Sequence, residues 1–375
     1  MNPFTKIQRL KKTMKVPDGK SYLRMIYEYL FYKLTNPGLA EQYFNKYLFR
    51  RSVTNPTDYI VTHKMAEQIW YYNDMHYKSV FAQKSVFQSF FSKFNINIVK
   101  SYAYNVNHLF YKGDELSLIK TTKDFKSFLI DLRDKGLWKE NYLIIKRTDN
   151  SYGGRNIYKI SYKDVTDNKT LIETLYNTVI KSGYLFQDIV VQHPELSRIN
   201  PNSLNTLRID TFTNKVGNTR IFNTTLRISS GKAFVDNISS GGIFAGINME
   251  TGVLNDEAYG DFDKGTGLIH LSHPLTGLVF KDFKIPYFKE AKQLVKDAAQ
   301  LLPEARVVGW DVGIQPNGPI LLEGNFGNSL YDFEISQKGQ RNNPVFQELL
   351  NEISVYYGEN GNNLDELKKE HPFFK

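Results

Sequence analysis

Val307-Val308-Gly309-Trp310-Asp311-Val312-Gly313-Ile314, then Gln315-Pro316-Asn317-Gly318, then Pro319-Ile320-Leu321-Leu322-Glu323-Gly324-Asn325 run without a break in this sequence. A Pro-Asn-Gly turn between two apolar runs predicts a β-hairpin. Pairing across it can set Asp311 opposite Glu323. Glu323 and Asn325 are two apart, so an extended backbone points them to one face. Three oxygen donors that converge in this way suit a hard cation, with water and phosphate oxygens completing an octahedron. Mg2+ is the expected ion and Mn2+ its substitute. The plainer reading is a surface hairpin with solvated acids. Here the acids interrupt apolar strands, where a buried unpaired charge costs several kcal/mol, and this favours the metal site.

Two further stretches carry chemistry. Leu143-Ile144-Ile145-Lys146-Arg147 precedes Thr148-Asp149-Asn150-Ser151-Tyr152-Gly153-Gly154, and Arg155 to Ile160 returns as a strand. A lysine at the end of an apolar strand can stand beside phosphates while the N–H groups of a Gly-Gly loop close over them. A tight turn with an exposed lysine is the plainer account, and no G-x-x-x-x-G-K-[ST] loop occurs in the chain. Arg208 in Asn205-Thr206-Leu207-Arg208-Ile209 and Arg227 in Thr225-Leu226-Arg227-Ile228 interrupt apolar strands, with Asn237-Ile238-Ser239-Ser240-Gly241-Gly242 following. Guanidinium forks at such positions need an anion, which is either a ligand's phosphate or carboxylate or a structural Asp or Glu.

Around these stretches the periodicity is mixed. Ser21 to about Phe94 reads as helical, broken at Asn36-Pro37-Gly38 and Asn55-Pro56-Thr57. Strands are expected at 98–103, 142–146, 156–160, 185–192, 206–213, 218–229, 307–314 and 319–323, and a helix at 169–182. Ile285, Phe288, Ala291, Leu294, Ala298 and Leu301 form one apolar stripe on a second helix, which Pro303 ends. The fold class is α+β. His270 and His273 lie in a Gly/Pro-rich stretch without helical support for a metal site, and read as surface histidines.

The chain has 375 residues, 41% hydrophobic and 14% aromatic, enough for two or three lobes. No apolar run approaches the about 20 residues that span a bilayer, and no signal peptide is visible, so a cytoplasmic location is expected. The absence of cysteine excludes disulfides, thiolate nucleophiles and zinc–thiolate sites. A net charge of +9 asks for an anionic partner such as a nucleotide, a phosphorylated sugar, a membrane surface or nucleic acid. Seven basic residues among the first 24, against Asp18 alone, read as a solvated basic start, with docking on an anionic membrane as the lesser alternative.

Taken in order, the strand lysine with its Gly-rich hairpin, N-T-L-R, R followed by N-x-x-x-G-G, G-W-D and L-E-G-N resemble the ATP-grasp superfamily. Val235-Asp236-Asn237-Ile238-Ser239-Ser240-Gly241-Gly242, His273-Pro274-Leu275-Thr276-Gly277 and Gly309-Trp310-Asp311 are most similar in wording to the sugar-transfer-associated ATP-grasp proteins. The resemblance runs from about Asn73 to Gln340. It implies the ATP-grasp fold, with two α+β lobes holding ATP between them. The expected organisation is a helical region 1–96, a small lobe 97–190 with the phosphate loop, a large lobe 191–345 with metal and catalytic residues, and a C-terminal helix and polar tail 346–375. ATP would be held by Lys84, Lys146, Ser151, Gly153, Gly154, Gln187, Asp188, Glu195, Asn237 and Gly241. Gln187 and Asp188 match the adenine-reading hinge, and Glu195 matches the ribose carboxylate. Mg2+ falls to Asp311, Glu323 and Asn325, and catalysis to Arg208, Arg227 and Lys146. Arg147 replaces a frequent proline, Tyr152 is bulky for its loop, and Gln187-Asp188 stands where relatives carry glutamate.

The reaction that the resemblance implies is activation of a carboxylate as an acylphosphate, which an amine then attacks. A sugar or capsule-polysaccharide precursor is the expected substrate, and no specific nucleic acid is expected as a partner. One alternative is a kinase that passes phosphate to a sugar hydroxyl at the same site. Another is a non-catalytic nucleotide- or nucleic-acid-binding protein, suggested by charge and aromatic content.

Overall fold

The computed structural model describes residues 9, 11–13, 16, 18–149, 156–231, 236, 241–262, 268–327, 330–358 and 361–372. The chain divides into two compact units. The first comprises 1–78, 192–319 and 324–375, and the second 79–191 and 320–323. The expected helical region 1–96 is thus divided between them.

The second unit carries a six-stranded sheet built from β1 (Ser101–Val106), β2 (Leu109–Lys112), β3 (Glu115–Leu118), β4 (Tyr142–Arg147), β5 (Ile157–Ser161) and β6 (Gly183–Asp188), in the order β3-β2-β1-β6-β4-β5. Helices cover it. Thr122–Asp134 starts at a capping box, in which Thr121 Oγ1 accepts the N–H of Asp124 and the Asp124 carboxylate accepts the N–H of Thr121. It buries Phe125, Phe128, Leu129 and Leu132, at spacings of three and four, into one core with Phe110, Leu143 and Phe186. The second helix, Lys169–Val179, adds Ile172, Leu175 and Val179 to the same core.

The first unit carries the seven-stranded antiparallel sheet. Its strands are β7 (Thr206–Thr213), β8 (Thr219–Ile228), β9 (Ile243–Ile247), β10 (Leu254–Gly260), β11 (Ile269–His270), β12 (Val307–Gln315) and β13 (Gly318–Phe326), in the order β11-β10-β9-β8-β7-β12-β13. β7 matches its expected bounds, and β13 runs on through Asn325. The helix Phe288–Gln300 packs against β7, β8 and β12 and buries Ala291, Val295 and Ala298, part of the expected stripe. A second core joins Tyr43, Tyr47 and Phe49 to Phe244, Tyr259 and Phe262. Among the described residues no helix is long and apolar enough to cross a membrane.

Candidate functional site

The register of three strands gathers charge on one face of the first unit's sheet. Along β7 the alternate residues Leu207 and Ile209 are fully buried, and the two-residue period turns Thr206 and Arg208 the other way. Pairing of β7 with β8 places Thr206 opposite Arg227, and pairing with β12 places Arg208 opposite Asp311. On β12 itself, Trp310 is buried and donates Nε1–H to Thr211 Oγ1 at 2.8 Å, so that Asp311 emerges on the other face. The G-W-D sequence is therefore a core tryptophan next to a site carboxylate.

Asp311 is the hub of this face. Arg208 Nε donates to its Oδ1 at 2.6 Å, and Arg227 Nη1 reaches both carboxylate oxygens at 3.1 Å. From β13, Asn325 Nδ2 donates to Gly309 O at 3.2 Å and to Asp311 Oδ2 at 3.3 Å. Only 7% of the Asp311 side chain is exposed, and 11% and 12% of the two arginines, so these are charge pairs drawn largely out of water. Both arginines thus make the ion pair that was the structural alternative in the sequence, and they make it with the carboxylate expected to bind metal.

One member of the cluster was not singled out from sequence. Asp236 Oδ2 accepts the backbone N–H of Thr206 at 3.0 Å and also its hydroxyl, while Oδ1 lies 3.5 Å from Arg227 Nη2. Burial pushes its carboxyl above the ordinary range, and the Arg227 guanidinium and Thr206 work against that shift. A carboxylate just before the small-residue loop was the only hint available. In that loop the carbonyl of Gly241 accepts from Ser230 Oγ at 2.5 Å. Ser151, Gly153, Gly154 and Asn237 lie outside the described residues.

In the second unit, Lys84 Nζ lies 3.6 Å from Glu323 Oε2, so an expected phosphate ligand sits beside an expected metal ligand. Lys84 opens the helix Lys84–Phe91, and its N–H donates to Thr148 O at 2.9 Å. Lys146 lies on β4 between Leu185 and Ile157 and is half-buried. The Gln187 side chain is buried and turned to the protein's own use, donating to Ser101 Oγ at 2.7 Å and Gln88 Oε1 at 3.2 Å. Asp188 takes a hydrogen bond from Tyr102, whose hydroxyl is pushed up first by burial and then by that carboxylate. Asp188 Oδ1 is buried with no hydrogen-bond partner among the described residues. An acceptor left in this way is costly. In the first unit, Glu195 is exposed on the helix Pro194–Ile199 and pairs with Arg198 at 2.6 Å.

The donor chemistry fits a divalent ion. With Asn325 Nδ2 committed to Gly309 and Asp311, the amide oxygen remains as its coordinating atom, beside a carboxylate. Among the described residues no three His, Asp or Glu side chains gather into a metal site. His273 is corrected from a surface residue to a buried one. Its Nε2 lies 2.8 Å from Ser229 O, and its Nδ1 accepts the N–H groups of Thr276 at 3.2 Å and Leu275 at 3.3 Å.

The sequence profile of the family described as sugar-transfer associated ATP-grasp matches residues 64–347. No curated protein matches the sequence. Similar solved structures include N5-carboxyaminoimidazole ribonucleotide synthetase from Thermotoga maritima (11% identity, TM-score 0.35, 67% of this chain and 43% of that one). D-alanyl-alanine synthetase A from Vibrio cholerae is 11% identical, with a TM-score of 0.42 over 76% of this chain and 67% of that one. D-alanine–D-alanine ligase from Bacillus anthracis is 10% identical, with a TM-score of 0.41 over 77% and 72%. This chain spans less than half the length of the Thermotoga enzyme.

Proposed function

As the chain belongs to the sugar-transfer associated ATP-grasp family, we propose that it is an ATP-dependent ligase that activates a carboxylate by phosphoryl transfer and joins it to an amine, on a sugar or polysaccharide precursor. The observation that carries the reading is the cluster of Arg208, Arg227, Asp311 and Asn325 on one sheet face. Two guanidiniums held 2.6 and 3.1 Å from a carboxylate are preorganised donors for anionic oxygens. Phosphate oxygens arriving on that face compete with Asp311 for the forks. Asp311, Asn325 and Glu323 are the residues that would hold Mg2+.

When bound, Mg2+ would neutralise and orient the β- and γ-phosphates. Within the second unit, Lys146 and Lys84 are the cations offered to phosphate oxygens, and Asp188 is the acceptor offered to the adenine amine. One of the arginines steadies the substrate carboxylate in line with the γ-phosphorus. It then meets the oxyanion that forms when the amine adds to the acylphosphate carbonyl. These steps need positioning and charge stabilisation, and they need no nucleophile from the protein.

The test is incubation of the protein with ATP, Mg2+ and a panel of sugar acids, amino acids and amines, with mass spectrometry of the products. An amide formed together with ADP and free phosphate is the expected result. ADP with the phosphate retained on a sugar product would replace the ligase with a kinase, and no turnover against any acid would remove the proposal.

A further inference from the structure

The helix Tyr22–Thr35 is apolar on two faces, and only one of them is covered. Its inner face buries Met25 and Glu28, with Tyr29 and Tyr32 packed on the core around Tyr43 and Tyr47. Glu28 ties it down by accepting from Lys20 at 2.8 Å, Arg24 at 2.6 Å and the Tyr43 hydroxyl at 2.8 Å. The outer face carries Leu23, Ile26, Tyr27, Leu30, Phe31 and Leu34, at spacings of three and four, all exposed. Leu23 is 82% exposed and Leu34 is 86%. Scattered exposed leucines need no explanation, but six large apolar side chains in one stripe do.

Charge says what covers the stripe. Of the eleven Lys and Arg in residues 1–51, Lys46 and Arg50 are buried in ion pairs with Glu334 and with Asp18 and Glu257, and Lys20 pairs with Glu28, so the charge shown to solvent is that of exposed residues such as Lys11, Arg24, Lys33 and Arg51. At about 100° per residue, Arg24 and Lys33 fall on the two margins of the stripe, and both are exposed. Long basic side chains bordering an apolar face can hold their charges at headgroup level while the face sinks toward the acyl chains. The stripe also precedes residue 64, where the family match begins. A second copy of the chain would bring two such basic borders together. A nucleic-acid backbone would find the charge but leave the leucines wet.

We propose that the helix Tyr22–Thr35 docks the protein on an anionic phospholipid bilayer, lying in the interface with Leu23, Ile26, Leu30 and Leu34 inserted and Arg24 and Lys33 at the headgroups. The full chain should float with vesicles of phosphatidylcholine and phosphatidylglycerol at about 3:1, but not with phosphatidylcholine alone. Binding should fall between about 0.1 and 0.5 M salt. The double variant Leu23→Glu, Leu34→Glu alters two side chains with almost no contacts. It should lose roughly tenfold or more in partitioning, with melting temperature and ATP binding unchanged. Undiminished flotation of the variant would overturn the proposal. So would equal binding to neutral vesicles, or a wild-type dimer that the variant converts to monomer.

Discussion

Asp311→Asn tests the electrostatics of the site without changing its shape. The asparagine keeps one carbonyl oxygen where the carboxylate had two, and it removes the charge that faces Arg208 at 2.6 Å and Arg227 at 3.1 Å. Both guanidiniums are about nine-tenths covered, so their charges stay in a poorly hydrated place, with Asp236, 3.5 Å from Arg227, as a nearby acid. Removing one partner of a buried pair costs about 3–5 kcal/mol. At about 2 °C per kcal/mol for units above roughly 200 residues, the ligand-free melting temperature should fall by about 6–10 °C. Adding Arg208→Met to this variant should restore part of the loss, because one uncompensated cation goes with it. Pyrophosphate should raise the melting temperature of Asp311→Asn more than that of the wild type, since the anion takes the vacated place between the forks. Calorimetry of the three proteins checks this. A ligand-free shift under about 1 °C would refute the claim that Asp311 neutralises the arginines.

Other expectations follow from single residues. Arg227→Ala should lower kcat by roughly a hundredfold while changing ATP affinity far less, the pattern of a donor used in the transition state; normal turnover per folded molecule would reduce Arg227 to a structural partner of Asp311. His273 accepts two backbone N–H groups at Nδ1, and burial holds its pKa below the ordinary 6.5. The unfolded chain therefore takes up the proton first. The associated stability is fully present above about pH 6.5 and is lost as pH falls toward the folded-state value. Urea midpoints between pH 7.5 and 5.5 should decline in the wild type and flatten in His273→Gln; parallel profiles would contradict the assignment. Gly327 has φ +72°, and a Cβ there would lie 1.2 Å from Trp70 Cδ1, so Gly327→Ala should cost about 1–3 kcal/mol. An unchanged denaturant midpoint would show that this turn, two residues past Asn325, yields freely.

What could be read in the sequence was what is local. Apolar runs gave β7, β12 and β13, and the apolar stripe gave the helix Phe288–Gln300, because burial leaves its imprint on consecutive residues. The helix Thr122–Asp134 carried both a capping box and a clean stripe, and its Thr121 and Asp124 were there to be read. The short strands β2, β3 and β10 were harder. Glu115 and Ser117, or Asn255, Asp256 and Glu257, dilute the alternation, and pairing with a neighbour rather than composition holds them in place. The site residues stood out as charges inside apolar runs. Which charge meets which depends on registers between strands up to about a hundred residues apart, so the meeting of Arg208 and Arg227 on Asp311 was not legible. The inward turn of Gln187 and the burial of His273 depend on partners 99 and 44 residues away, Gln88 and Ser229.

The central claim is that these strands bind a metal–nucleotide complex. Its most direct test is calorimetric titration of the wild type with the β,γ-imido analogue of ATP, first in Mg2+ and then in a chelator. The account predicts one site per chain, with affinity reduced at least about tenfold on removal of the metal, and a similar loss in Lys146→Ala and in Glu323→Gln even with Mg2+ present. No binding heat, or equal affinity with and without Mg2+, would contradict it.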